Sequence, residues 1–198
     1  MNKYFPYSII LMLPAIVLQG ENAYGQRINF STWAGSSSIT IQPVSGNNAL
    51  DFGKIFIGQA KTILLSGNEV TAFDITAERG YDLTVSVSAP PVLDGPDSKT
   101  IPFRINFAYS DQGAQVLSVA KTSATEVPAG FTSVTFPVLR YASGLPAPPP
   151  APLDGATTSR PTAKSWLFIY GNVGPAASDA SAGNYTGTIN ITVDYTSY

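Results

Sequence analysis

Thr188-Ile189-Asn190-Ile191-Thr192-Val193-Asp194-Tyr195 sets four apolar side chains on one side of an extended chain and four polar ones on the other. Successive side chains of a strand point to opposite faces, so the stretch reads as a strand with one buried face. The same period recurs upstream. Phe73, Ile75 and Ala77 alternate with Ala72, Asp74 and Thr76; beyond Glu78-Arg79-Gly80, Leu83, Val85 and Val87 alternate with Asp82, Thr84, Ser86 and Ser88. These two segments read as a hairpin turning at Gly80. Phe103, Ile105 and Phe107 oppose Arg104, Asn106 and Ala108, and Val134, Phe136 and Val138 oppose Thr135 and Pro137. Further strands are expected at 38–42, 50–57, 62–65, 114–119 and 165–170.

No stretch of about a dozen residues keeps a helical apolar spacing without a Gly, Pro or β-branched interruption. Short strands punctuated by Gly, Pro, Asn and Asp predict an all-β chain of two packed antiparallel sheets, with a closed barrel as the alternative. Three stretches break the pattern: a stiff turn at 90–97, a Pro-rich extended surface loop at 145–154, and a small, polar loop at 174–183 expected to be mobile.

The first residues carry Lys3, and Tyr7 to Leu18 is almost wholly apolar, with Ala23 and Gly25 standing three and one positions before Gln26. That is the pattern of a secretory signal peptide over residues 1–25, too short to span a bilayer comfortably, so no membrane span is expected after cleavage. Residues 26–37 then read as an N-terminal extension free to be mobile, and residues 38–198 as a single sandwich domain. Lys and Arg number 11 against 13 Asp and Glu, for a net charge of −2. Without excess positive charge to release counterions from phosphates, nucleic acid is not an expected partner. Charged residues are only 12% while aromatics reach 11%, which separates the chain from disordered sequences.

The sequence contains no His and no Cys. The common nucleophilic triads, thiol chemistry and the usual zinc sites are therefore excluded by inventory, and no cofactor, metal or catalytic residue is expected. Ser118-Val119-Ala120-Lys121 has the S-x-x-K spacing of acylating serine enzymes. There the motif opens a helix that sets Ser and Lys on one face, whereas here it follows a strand-like run and reads as a chance match. Asp51, Glu69, Asp74, Glu78 and Asp82 read as solvated carboxylates rather than a glycosidase pair, and Asp94 and Asp97 as turn residues. In Trp166 to Tyr170, one alternating set must face away from the core of a one-sided sheet. Trp166 and Tyr170 are therefore the candidate glycan contacts.

Leu50-Asp51-Phe52-Gly53-Lys54-Ile55 and the ending from Ala182-Gly183-Asn184-Tyr185-Thr186-Gly187-Thr188 to Tyr195 resemble the two ends of a bacterial secreted family known as domain of unknown function 4402. That family is similar to pilin-like and spore-coat U domains. The resemblance extends loosely over residues 38 to 195 and implies an immunoglobulin-like, pilin-like antiparallel β-sandwich, secreted to the surface or periplasm of a bacterium. It supplies no catalytic residues. The expectation is a non-enzymatic structural or adhesive module that associates with its own copies or with another surface protein through a strand edge or the N-terminal segment, with Ile28 and Phe30 as assembly residues. A carbohydrate-binding module using exposed aromatics is the alternative.

Overall fold

The computed structural model describes residues 24–35, 38–44, 49–139 and 161–196. Most of the expected signal peptide and the whole Pro-rich loop at 145–154 lie outside the described residues. The fold is all-β. Its strands are β1 (Tyr24–Gly35), β2 (Thr40–Pro43), β3 (Ala49–Ile55), β4 (Lys61–Ile63), β5 (Thr71–Glu78), β6 (Asp82–Ser88), β7 (Val92–Asp94) and β8 (Thr100–Ser110). After one short helix, α1 (Leu117–Thr122), come β9 (Thr125–Glu126), β10 (Ser133–Pro137), β11 (Thr162–Val173) and β12 (Tyr185–Tyr195).

The strands join into one curled sheet with two arms. The first arm runs β10-β6-β12-β1-β3; the second runs β2-β5-β11-β8-β9, with β4 beside the far end of β11. β8 links them, pairing with β7 through Thr100 and Pro102 and with β11 from Phe103 onward. Pairing is antiparallel throughout the named strands except between β1 and β12.

The arms face each other across one apolar core. Phe30 of β1 meets Phe73 of β5 edge-on with ring centres 5.0 Å apart, and Phe52 of β3 meets Phe103 of β8 at 6.0 Å. β12 buries Ile189, Ile191 and Val193, half-buries Tyr195, and leaves Thr188, Asn190, Thr192 and Asp194 exposed, as its alternation requires.

Four expectations change. The stretch 90–97 is more than a turn, since Val92–Asp94 forms β7 and pairs with β8 and β12. β5 and β6 are not a hairpin: β5 pairs with β2 and β11, and β6 with β10 and β12. The chain instead crosses between the arms at Arg79-Gly80-Tyr81, where Gly80 takes φ +86° and donates to the Val138 carbonyl. Two consecutive amphipathic strands satisfy their apolar faces equally well from opposite sides of a core. The expected strand at 114–119 is partly α1, which buries Ala120. The stretch 174–183 is tied down by the Gly174 and Ala176 amides, which donate to the Pro102 and Gln59 carbonyls, and by the Lys99–Asp179 ion pair at 2.6 Å.

Because Phe73 is wholly buried at the junction of the arms, Phe73→Ala is expected to destabilise the fold by about 3–5 kcal/mol. Denaturant unfolding of the two proteins checks this.

Candidate binding cleft and the N-terminal strand slot

Residues 26–35 are not an extension. β1 occupies a slot inside the first arm, parallel to β12 from Gln26↔Tyr185 to Gly35↔Val193 and antiparallel to β3 from Tyr24↔Ile55 to Asn29↔Ala49. The alternation of Arg27, Ile28, Asn29 and Phe30 explains this placement. Ile28 and Phe30 turn into the core with 0% and 3% exposure, while Arg27 and Asn29 face out. The slot is bounded by the backbone edges of β3 and β12, so ladders on both sides hold β1 in addition to the burial of these two side chains. A bulge adjusts the fit: Gln26 opposes Gly53 and Arg27 opposes Asp51, leaving Phe52 as the extra residue. Gly53 adopts φ +63° and its amide donates to Asp51 Oδ1 at 2.7 Å, a conformation that favours glycine. Gln26 also points inward, and its buried side-chain amide has no hydrogen-bond partner among the described residues.

The candidate glycan residues divide. Trp166 is buried, stacked on Phe168 with ring centres 6.5 Å apart, and its indole N–H donates to the Ala114 carbonyl at 2.7 Å. Lys164 lies over its ring at 5.2 Å and pairs with Asp74. No exposed aromatic platform exists on β11. The reason is that the segment from Asp111 to Glu126, α1 included, lies over the outer face of the second arm: Ser110 bonds Ser123 at 2.9 Å, and Ala120 is fully buried. β11 is thus covered on both faces, and all of Trp166 to Tyr170 is buried.

Tyr170 differs from Trp166 in position. Its ring is buried, but its hydroxyl reaches the floor of a cleft of about 710 Å³, where it donates to Glu126 Oε2 at 2.7 Å. The cleft lies between the turn after β4, α1, β9 and β11, and Leu64, Leu65, Leu117, Lys121 and Asn68 contribute to its walls. Lys121 Nζ donates to the Gly67 carbonyl at 2.5 Å, tying α1 to that turn.

Ser118 and Lys121 do share a helix and do line this cleft, contrary to the strand-like context read for them. Leu117 and Ala120, three residues apart among helix-forming Leu, Ala and Lys, are the only local trace of the helix, and one such spacing is too short to read as a helical period. A Ser-Lys dyad still does not form, since no hydrogen bond joins the two side chains among the described residues. Leu64, Leu117 and Glu126 were not singled out by the sequence, because nothing local to 64–68 shows that it meets 117–126. No group of three or more acidic side chains placed to hold a metal ion occurs among the described residues. No helix among them is long and apolar enough to cross a membrane.

Compared with known proteins, the chain matches no family model, and no curated protein matches it. The family resemblance rests on the two end motifs.

Burial first, and then the bond to Glu126, raise the Tyr170 phenol above its ordinary value. The native state holds this proton where an unfolded chain, titrating near about pH 10, releases it. The Tyr170 contribution to stability is therefore whole below that pH and is lost as pH rises toward the raised native value. Tyr170→Phe is expected to cost about 1 kcal/mol at neutral pH and to lessen the alkaline fall in stability, as read from urea midpoints across the alkaline range. Trp166→Ala is expected to cost about 3–5 kcal/mol, as a core residue does. A melt that left Tm unchanged would place Trp166 outside the core.

Proposed function

We propose that this protein is a non-enzymatic structural or adhesive module of the bacterial surface, secreted, and assembled by exchange of its N-terminal strand between copies. The observation that carries the reading is the placement of β1 between β3 and β12. Once the expected signal peptide is removed β1 is the N-terminal strand, and a terminal strand that fills an internal slot can fill the same slot in a neighbour, making the same ladders and burying the same Ile28 and Phe30. The contacts are equal in the two arrangements, so the balance is set by concentration and by the linker to β2.

Gln26 bears on the rate of exchange and leaves its balance unchanged: a buried amide without a partner among the described residues costs about 1–3 kcal/mol in either arrangement, which eases the undocking of β1. The immunoglobulin-like, pilin-like description belongs to the same proposal, supported by the two facing arms and by the resemblance of the chain ends. The non-enzymatic reading is supported by a sequence without His or Cys and by the unformed Ser118–Lys121 pair.

A lock tests the exchange. Arg27 and Asp51 are directly opposed, exposed residues of β1 and β3. Opposed antiparallel residues stand about 4.5–5.5 Å apart at Cα, inside the disulfide range, and the chain has no Cys to interfere. The double variant R27C/D51C, oxidised when dilute, is expected to remain monomeric in light scattering at every concentration, and both the reduced variant and the wild type are expected to form concentration-dependent oligomers. A wild type that stays monomeric when concentrated, or a locked protein that assembles equally well, rejects strand exchange.

A further inference from the structure

We infer that the cleft framed by Leu64, Leu117, Lys121, Glu126 and Tyr170 is a docking site for a short peptide segment bearing a branched aliphatic side chain. The site involves neither β1 nor its slot, so it stands apart from the assembly reading.

Phe56, Ile57 and Phe131 are exposed elsewhere on the fold, but among the described leucines only the two at this cleft are. Leu50, Leu83, Leu93 and Leu167 are wholly buried, whereas Leu64 and Leu117 keep 59% and 36% of their surface exposed. Both face one concavity. Val116 and Val119 flank Leu117 and are exposed as well. Apolar surface held in a concavity beside a few fixed polar groups is the usual make-up of a ligand site, and the volume falls in the usual range.

The polar part selects the ligand. Glu126 accepts one hydrogen bond, from Tyr170, and forms no ion pair with a described lysine or arginine. A carboxylate offers about four lone-pair sites, so acceptor capacity remains. Lys121 spends one of its ammonium hydrogens on the Gly67 carbonyl and keeps the others. Both groups are held in place, one by a buried tyrosine and the other by a backbone carbonyl. An acceptor and a donor beside aliphatic walls complement a peptide group, whose N–H and C=O flank an aliphatic side chain. A sugar fits less well. The flat apolar face of a pyranose wants an exposed ring, and the one ring at this cleft, Tyr170, is 5% exposed. A simple anion is opposed by Glu126.

The test titrates the full chain with N-acetyl-Leu-Leu-amide while recording amide nitrogen–proton NMR spectra. Saturable shifts are expected at residues 64–68 and 117–126, with N-acetyl-Gly-Gly-amide and methyl glucoside producing none. Leu64→Ser changes an exposed side chain and leaves the core intact; it is expected to weaken the dileucine probe about five-fold or more. Tyr170→Phe, which frees Glu126 from its partner, is expected to shift the affinity with the aliphatic selectivity kept. No saturable shift with the dileucine probe, equal binding of the glycine probe, or binding indifferent to Leu64→Ser overturns the proposal. Shifts at the same amides with methyl glucoside alone would make the cleft a sugar site instead.

Discussion

The first arm is held together by a strand that reaches it from the far end of the chain. β1 pairs along both edges, and without it β3 and β12 would each present a row of unpaired backbone groups. Its inward residues do more than complete the ladders. Phe30 crosses the interior to meet Phe73 of β5, so the same strand that joins β3 to β12 also ties the first arm to the second. Parallel pairing between the first and last strands is possible because nearly the whole chain serves as their connection.

A second constraint shapes the other arm. β11 carries Trp166, Leu167, Phe168, Ile169 and Tyr170 in succession, so an uncovered outer face would leave large aromatic surface in water. The chain meets this by laying the segment around α1 over that face and satisfying the Trp166 indole on the Ala114 carbonyl. The cover is short, and where it ends the Tyr170 hydroxyl emerges beside Glu126. The cleft is thus a product of how far the covering layer extends, and its polar groups are fixed by the packing beneath them.

Several elements were open to reading in one dimension. The alternation in Thr71–Glu78, Asp82–Ser88 and Tyr185–Tyr195 identifies strands with one inward face, and the inward sets are the ones buried. Alternation says nothing of which neighbour a strand takes, which is why the crossing at Gly80 resembled a hairpin. It also assumes that a sheet has one dry face. That assumption fails at β11, whose continuous apolar run is the mark of a strand covered on both sides, and with it fails the inference of an exposed aromatic platform. Six residues of α1 are too few for a helical period to stand out against surrounding valine and serine.

The sequence alone determined that this protein is all-β, that it carries no histidine and no cysteine, and that Ile28 and Phe30 share one face of their segment. Those properties depend on composition and on the two-residue period of an extended chain, which are local. Only the tertiary structure decided that this segment lies between β3 and β12, that Trp166 is core while Tyr170 reaches a cleft, and that Leu64, Lys121 and Glu126 meet. Each of these joins residues far apart in the chain, and their meeting is fixed by how the two arms and the covering segment divide the apolar surface among them.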